Sequence, residues 1–208
     1  MAKRKIDPTL PYACEAFRRS VLIRGVEWDN EKISRDMLID QSWRQSRFEP
    51  IDFDCLPKAF WPNARERKKT MPHIALPAGI HCVSQEVRDV MVRFDLGPMT
   101  FGPVRMLQRD KKTTWGRDLF IMNGWAHHSA VDRAPHSRET EIRGIMRIVA
   151  KFVIEDGEIV LRAGSVPSVD IWYDEGFMNI FFVSGRLMQA LDDAGLSKIF
   201  DPLKCAVE

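Results

Sequence analysis

Two stretches of this chain carry the same alternation of apolar and polar positions 100 residues apart. Setting Val83-Ser84 over Val183-Ser184 brings Val87 over Leu187, Met91 over Leu191 and Leu96 over Leu196. With one gap, Phe101-Gly102-Pro103-Val104-Arg105 falls on Phe200-Asp201-Pro202-Leu203-Lys204. In the first stretch Val87, Val90, Met91 and Phe94 recur at i, i+3, i+4 and i+7; in the second, Leu187, Ala190, Leu191 and Ala194 do so. That spacing predicts one buried stripe of a helix in each copy. A Ser precedes each stripe, where its hydroxyl can accept from an otherwise unpaired backbone N–H. Gly97 and Gly195 stand where helices end. Phe101 to Met106 and Ile199 to Cys205 then read as strands, at a sheet edge because each contains a Pro. Two copies at so long a period predict pseudo-equivalent halves of one fold.

Other patterns are shorter. Cys14 to Glu27 reads as a strand, above all over Ser20 to Glu27. Asp36 to Gln45 fits a helix or a strand, and Asp54 to Trp61 a turn or a short helical segment. Asp118 to Trp125 and Ile142 to Ile154 carry apolar runs suited to buried strands. Glu155-Asp156-Gly157-Glu158 is a turn signal that predicts a hairpin between Val149–Ile154 and Glu158–Arg162. Val169 to Tyr173 and Ile180 to Val183 add two strands. The fold class expected is α+β: short, mostly antiparallel strands, two pseudo-repeated helix-strand units at 78–106 and 180–205, and an irregular N-terminal extension. Six prolines punctuate residues 1–72. Those residues are therefore read as an extension or small lobe, and 73–208 as the principal domain.

The 208 residues carry a formal charge of +2, too little for a whole-molecule field that selects nucleic acid or a membrane as partner. Cys14, Cys55, Cys82 and Cys205 are scattered without a CxxC pair, which fits a reducing compartment. The basic start is followed by Asp7 and two prolines and not by an apolar signal core, so a cytoplasmic location is expected.

Several constellations could carry chemistry. His127, Asp132 and His136 include ordinary ligands for zinc or iron, the basis of an alternative reading as a small metal-dependent hydrolase over His127–His136. Adjacent His127 and His128 must diverge on any regular element, so a polar loop is the better reading. His73 or His81 with Cys82 could form a nucleophilic pair, but Cys82 aligns with Phe182, which marks a core position. Arg65, Arg67, Lys68 and Lys69, with Lys3, Arg4 and Lys5, lack interleaved aromatics and read as solvated charge. Asp192-Asp193 and Asp174-Glu175 are carboxylate pairs without a sign of enclosure. No P-loop, GxGxxG or GxSxG occurs.

Asp170-Ile171-Trp172, Phe181-Phe182-Val183-Ser184-Gly185-Arg186-Leu187 and Leu191-Asp192-Asp193-Ala194-Gly195-Leu196 together resemble a bacterial immunity-protein family linked to secreted polymorphic toxins. His81-Cys82-Val83-Ser84 with Phe101-Gly102-Pro103-Val104 is similar to its first copy. Asp118 to Asn123, followed by Val131-Asp132, is similar to its central strand. The resemblance covers about residues 77–205. It implies an α+β scaffold that binds a cognate toxin, a nuclease among the candidates, and blocks its active site, with no catalysis and no cofactor. The near-balanced charge argues against a direct nucleic-acid partner, and no apolar run approaches the length of a membrane span. Trp115, Arg117, Trp125, His127 and His128 are the expected partner contacts, chosen by residue type and loop position, because Trp and Arg dominate interface hot spots.

Overall fold

A computed structural model describes residues 5–29, 31–134, 136–142, 145–150, 153–174, 177 and 180–208. In chain order the elements are β1 (Tyr12–Cys14), β2 (Ile23–Arg24), β3 (Val26–Glu27), α1 (Arg35–Ser46), β4 (Ala59–Pro62), β5 (Ile74–Pro77), β6 (Cys82–Ser84), α2 (Gln85–Met91), β7 (Thr100–Met106) and β8 (Leu119–Asn123). There follow β9 (His127–His128), β10 (Val131–Arg133), β11 (His136–Ile142), β12 (Ile145–Ala150), β13 (Val160–Leu161), β14 (Ile171–Asp174), β15 (Phe181–Val183), α3 (Gly185–Asp193), β16 (Pro202–Lys204) and β17 (Ala206–Val207). The class is α+β, as expected. Contacts divide the chain into unit 1, residues 1–18, 90–97 and 126–208, and unit 2, residues 19–89 and 98–125. Residues 1–72 are thus shared between the two.

Unit 2 holds one sheet in the order β2-β5-β6-β8-β7-β4-β3, and the larger sheet of unit 1 runs β16-β1-β15-β14-β9. The two have a common five-strand frame, and the register shows it. Ile74 faces Val83 and Val83 faces Phe120 in unit 2; Ile171 faces Val183 and Val183 faces Tyr12 in unit 1. Beyond these, β2 lies parallel to β5 with Ile23 opposite Leu76, as β9 lies parallel to β14 with His127 opposite Tyr173. On the other flank β7 is antiparallel to β8 and β16 antiparallel to β1. The predicted repeat is real and longer than its sequence signature. It also slips: Pro103 pairs with Phe120 while Lys204, not Pro202, pairs with Tyr12, two residues away from the sequence alignment.

Each copy turns from strand to helix through its Ser. The Ser84 hydroxyl accepts from Val87 N and the Ser184 hydroxyl from Leu187 N, filling the orphan donors of a first helical turn. Of the predicted stripes, Val87, Val90, Met91, Leu187 and Leu191 are buried, whereas Phe94 lies beyond the end of α2 and Ala194, the C-cap residue of α3, is exposed. Gly195, at φ +73°, closes α3, with its N–H donating to Asp192 O. Gly97 instead lies six residues beyond the end of α2, in a turn held by the Asp95 carboxylate. β16 is an edge strand, whereas β7 lies between β8 and β4; β4 meets only Arg105 and Met106, so Pro103 blocks no ladder bond on that side.

Three expectations change. Ser20 to Glu27 opens with a 3-10 turn and holds two short strands, β2 and β3. Asp54 to Trp61 becomes a 3-10 turn over Phe53–Cys55 followed by β4. The turn at 155–158 forms, but β13 pairs with β10 and β17, and β12 pairs with β11, so it joins no hairpin. The local turn chemistry was right; the long-range partners won over the nearest neighbour in sequence.

α1 departs most from a simple amphipathic helix. Leu38, Gln41 and Gln45 form its inner stripe, while Met37, Ile39 and Trp43 are 39–43% exposed. The buried amides are satisfied: Gln45 donates to Met122 O and accepts from His81 N, and Gln41 accepts from Asp52 N. Below the helix lies the core of unit 2, in which Leu38, Phe60, Ala75, Val104, Met106, Leu119 and Ile121 come together. Each large side chain there contributes about 1.5–3 kcal/mol.

At the start of α3 a Cβ on Gly185 would stand 2.5 Å from Leu10 O and from the Pro8 carbonyl. Gln85 holds the matching place in the other copy. We expect Gly185→Ala to cost more than about 2 kcal/mol in urea unfolding because backbone must move, and Gln85→Ala to stay within about 0.5 kcal/mol.

Candidate functional site

Partner contacts must be accessible, and the five expected ones separate on that test. Trp115 is 4% exposed in the core of unit 2, its indole N–H donating to Lys68 O. Trp125 is equally buried, edge-on to Phe48 at 4.7 Å. Neither tryptophan reaches the surface; loop-like flanking sequence concealed that each is a core residue. Arg117 is half-exposed, 3.0 Å from the Glu86 carboxylate and 2.6 Å from His73 Nδ1. In unit 1, His127 is exposed, edge-on to Tyr173, and His128 is half-buried.

His73 and Arg117 belong to a polar joint that occurs twice with different chemistry. In unit 2, His73 Nδ1 lies 2.9 Å from the capping Ser84 hydroxyl. Burial and the Arg117 guanidinium hold the His73 pKa below its ordinary value, against the Glu86 carboxylate. In unit 1 the register puts Asp170 where His73 stands and Arg186 where Glu86 stands. Asp170 is fully buried and accepts from the Ser184 hydroxyl at 2.5 Å, from Arg186 at 2.5 and 2.8 Å, and from Asp95 N at 3.0 Å. Arg186 in turn is raised above its usual value by Asp170. Every oxygen of that carboxylate is engaged in holding the strand-helix turn, the arrangement of a structural clamp.

Several of the remaining sequence candidates have structural employment. Cys82 is fully buried and its thiol pushed well up, while burial drives the His81 imidazole down to about 3. A thiolate–imidazolium pair is the opposite of what such desolvation permits. Asp174 accepts from Ala130 N at 2.6 Å and Val131 N at 3.0 Å. Asp192 accepts from the Ser197 hydroxyl and Asp193 from Gln189. Among the described residues no three His, Cys, Asp or Glu groups converge as metal ligands. The His136 side chain, Glu175 and residues 3–4 lie outside the described residues. Arg65, Arg67, Lys68 and Lys69 are exposed.

Sequence reasoning passed over the surface of unit 2 around α1. An open cleft of about 820 Å³ is walled by Trp28, Trp61, Ile33 and Leu56, with Lys58 and Lys111 at its rim. The Lys111 ammonium sits 4.3 Å from the Trp61 ring centroid, and Trp28 donates to Ile33 O at 2.8 Å. α1 starts beside this cleft, since residues 31–33 line it and Ser34 caps the helix. Partly exposed tryptophans beside charges of both signs can accept side chains of a protein partner. The signal was present in sequence as Ile39 and Trp43 on one helical face, but the undecided choice between helix and strand hid which side they share.

Among the described residues no helix is long and apolar enough to cross a membrane. A model of the Immunity protein family (Imm11) matches residues 15–202. No curated protein matches the chain.

The buried His81 gives a pH signature. Its pKa is about 3 folded and near 6.5 unfolded, so the unfolded state takes up the extra proton as pH falls. Its contribution is complete above about pH 6.5 and declines toward pH 3, by up to about 1.4 kcal/mol per unit. Urea unfolding between about pH 7 and pH 4 should therefore show a shallower loss for His81→Phe, the residue the other copy carries as Phe181.

Proposed function

The chain belongs to the Imm11 immunity protein family, and on that premise we propose that it neutralises a cognate bacterial toxin by binding it, without a reaction of its own. The observation that carries this reading is the family match over residues 15–202. The state of the polar groups supports it. The candidate nucleophile Cys82 is sealed in the core, and the carboxylates of Asp170 and Asp174 are consumed by backbone and cap hydrogen bonds. The accessible chemistry that remains is recognition: exposed apolar and aromatic side chains next to charge.

The mechanism is occlusion. A scaffold whose strand-helix turns are clamped by buried hydrogen bonds loses little conformational freedom on association, so contact energy is not spent on ordering. Seated over the mouth of an active site, such a surface excludes substrate. The protein acts in the cytoplasm of the producing cell, ahead of or alongside toxin made there.

Co-expression with the toxic C-terminal domain encoded beside this chain should restore growth that the domain alone abolishes, and the two should elute together from an affinity column. Growth arrest despite expression of soluble protein, with no complex, would reject the proposal.

A further inference from the structure

Resting on that reading, we propose that the outer face of α1, centred on Ile39 and Trp43, is the surface that grips the toxin, and that the toxin presents a basic surface to it. Asp36, Ile39, Asp40 and Trp43 fall at i, i+3, i+4 and i+7 and so share one face of the helix. Ile39 is 43% and Trp43 40% exposed, and as an i, i+4 pair they are neighbours on that face. Two large apolar side chains, one of them a tryptophan, thus stand together on a helix face beside the Trp28/Trp61 cleft, a pairing of the kind found at interfaces.

The exposure is locked in. Rotating α1 to bury Ile39 and Trp43 would withdraw the amides of Gln41 and Gln45, leaving Asp52 N, His81 N and Met122 O without the partners they have. Each buried orphan costs about 1–3 kcal/mol, comparable to what burying one apolar side chain returns. The helix therefore holds its apolar residues outward by hydrogen bonds made at its back, a preorganised face.

Charge selects the occupant. From Glu27 to Asp54 there are eight carboxylates against four basic side chains, although the whole chain is +2; on α1 itself Arg35 and Arg44 offset Asp36 and Asp40, so the excess lies in the segments flanking the helix. Arg44 and Arg47 are tied to Asp40 and Glu49. Asp40, Asp52 and Asp54 converge on Cys55, whose thiol is raised first by burial, then by the Asp52 hydrogen bond and the neighbouring carboxylates. The excess of carboxylates around the helix disfavours anionic lipid and nucleic acid. A basic protein surface is attracted to it, as in a toxin whose groove binds a polyanion.

The test uses the full chain and an inactivated form of the neighbouring-gene toxin domain. Ile39→Ser/Trp43→Ser should keep the wild-type fold by circular dichroism, since both residues are half-exposed, and weaken Kd by about 30-fold or more. Asp36→Asn/Asp40→Asn should slow association and flatten its dependence on salt between about 0.05 and 0.5 M. Val153→Ser, at a residue 62% exposed in unit 1, should leave binding unchanged. If wild type binds and the Ile39/Trp43 variant binds as tightly, the surface assignment fails while the immunity reading stands. A change in self-association of that variant with unaltered toxin binding fails it too, in favour of a second copy. If wild type does not bind, the immunity reading falls and takes this inference with it.

Discussion

A strand-helix-strand crossover that leaves a gap between its two strands must have that gap filled, and this constraint orders the rest of the molecule. β6 and β7 are both antiparallel to β8, so they run parallel to each other with one strand between them. β15 and β16 stand in the same relation to β1. An empty slot would leave two rows of backbone N–H and C=O groups unpaired, each buried group costing on the order of a hydrogen bond. Unit 2 fills its slot with β8, about a dozen residues beyond β7. Unit 1 fills its slot from the far end of the sequence, with Tyr12–Cys14, and Gly185 has no side chain because the segment at Pro8–Leu10 passes over it.

The slot also explains what could be read in the sequence. The helical stripes Val87/Met91 and Leu187/Leu191 and the capping Ser84 and Ser184 were legible because each is a local requirement with a fixed spacing. The rest of the repeat was not. Ile74 and Ile171 are equivalent, but their flanks share almost nothing, and β8 and β1 occupy one structural place from opposite sides of their repeats. No linear comparison aligns them. The same reasoning covers the hairpin expected at 155–158: Gly157, at φ +83°, fixes the turn, whereas strand pairing is decided by partners more than 25 residues away, Val131 and Val207. Trp115 and Trp125 misled for a related reason. Tryptophan is both the commonest hot-spot residue and an efficient core filler, and its neighbours in sequence do not say which.

The two polar joints show one geometry built from unlike residues. His73 and Asp170 both sit beneath a capping Ser, yet one is paired with a carboxylate and a guanidinium together and the other with a guanidinium alone. What is retained is a hydrogen-bonding group under the cap; its charge is free to change as long as its partner changes as well. Joints so tolerant of chemistry are architecture, and function has to be sought where the two copies differ.

Among the described residues, α1 and the cleft next to it belong to unit 2, and no helix of unit 1 outside the repeated frame matches α1. A helix optimised only for stability would bury Ile39 and Trp43 and leave its glutamines in water, since apolar burial stabilises and a buried amide at best breaks even after desolvation. α1 does the reverse, and its amides are nevertheless satisfied. The arrangement leaves two apolar side chains half in water and holds them there with hydrogen bonds to three backbone groups, which another rotation of the helix would break. Such a conflict between local pattern and fold is the expected mark of a working surface. The acidic surroundings narrow it further. They would be a liability for adhesion to membranes or nucleic acid, and they become useful for a partner whose own surface is basic and must be found quickly, because complementary charge speeds the encounter before any apolar contact is made.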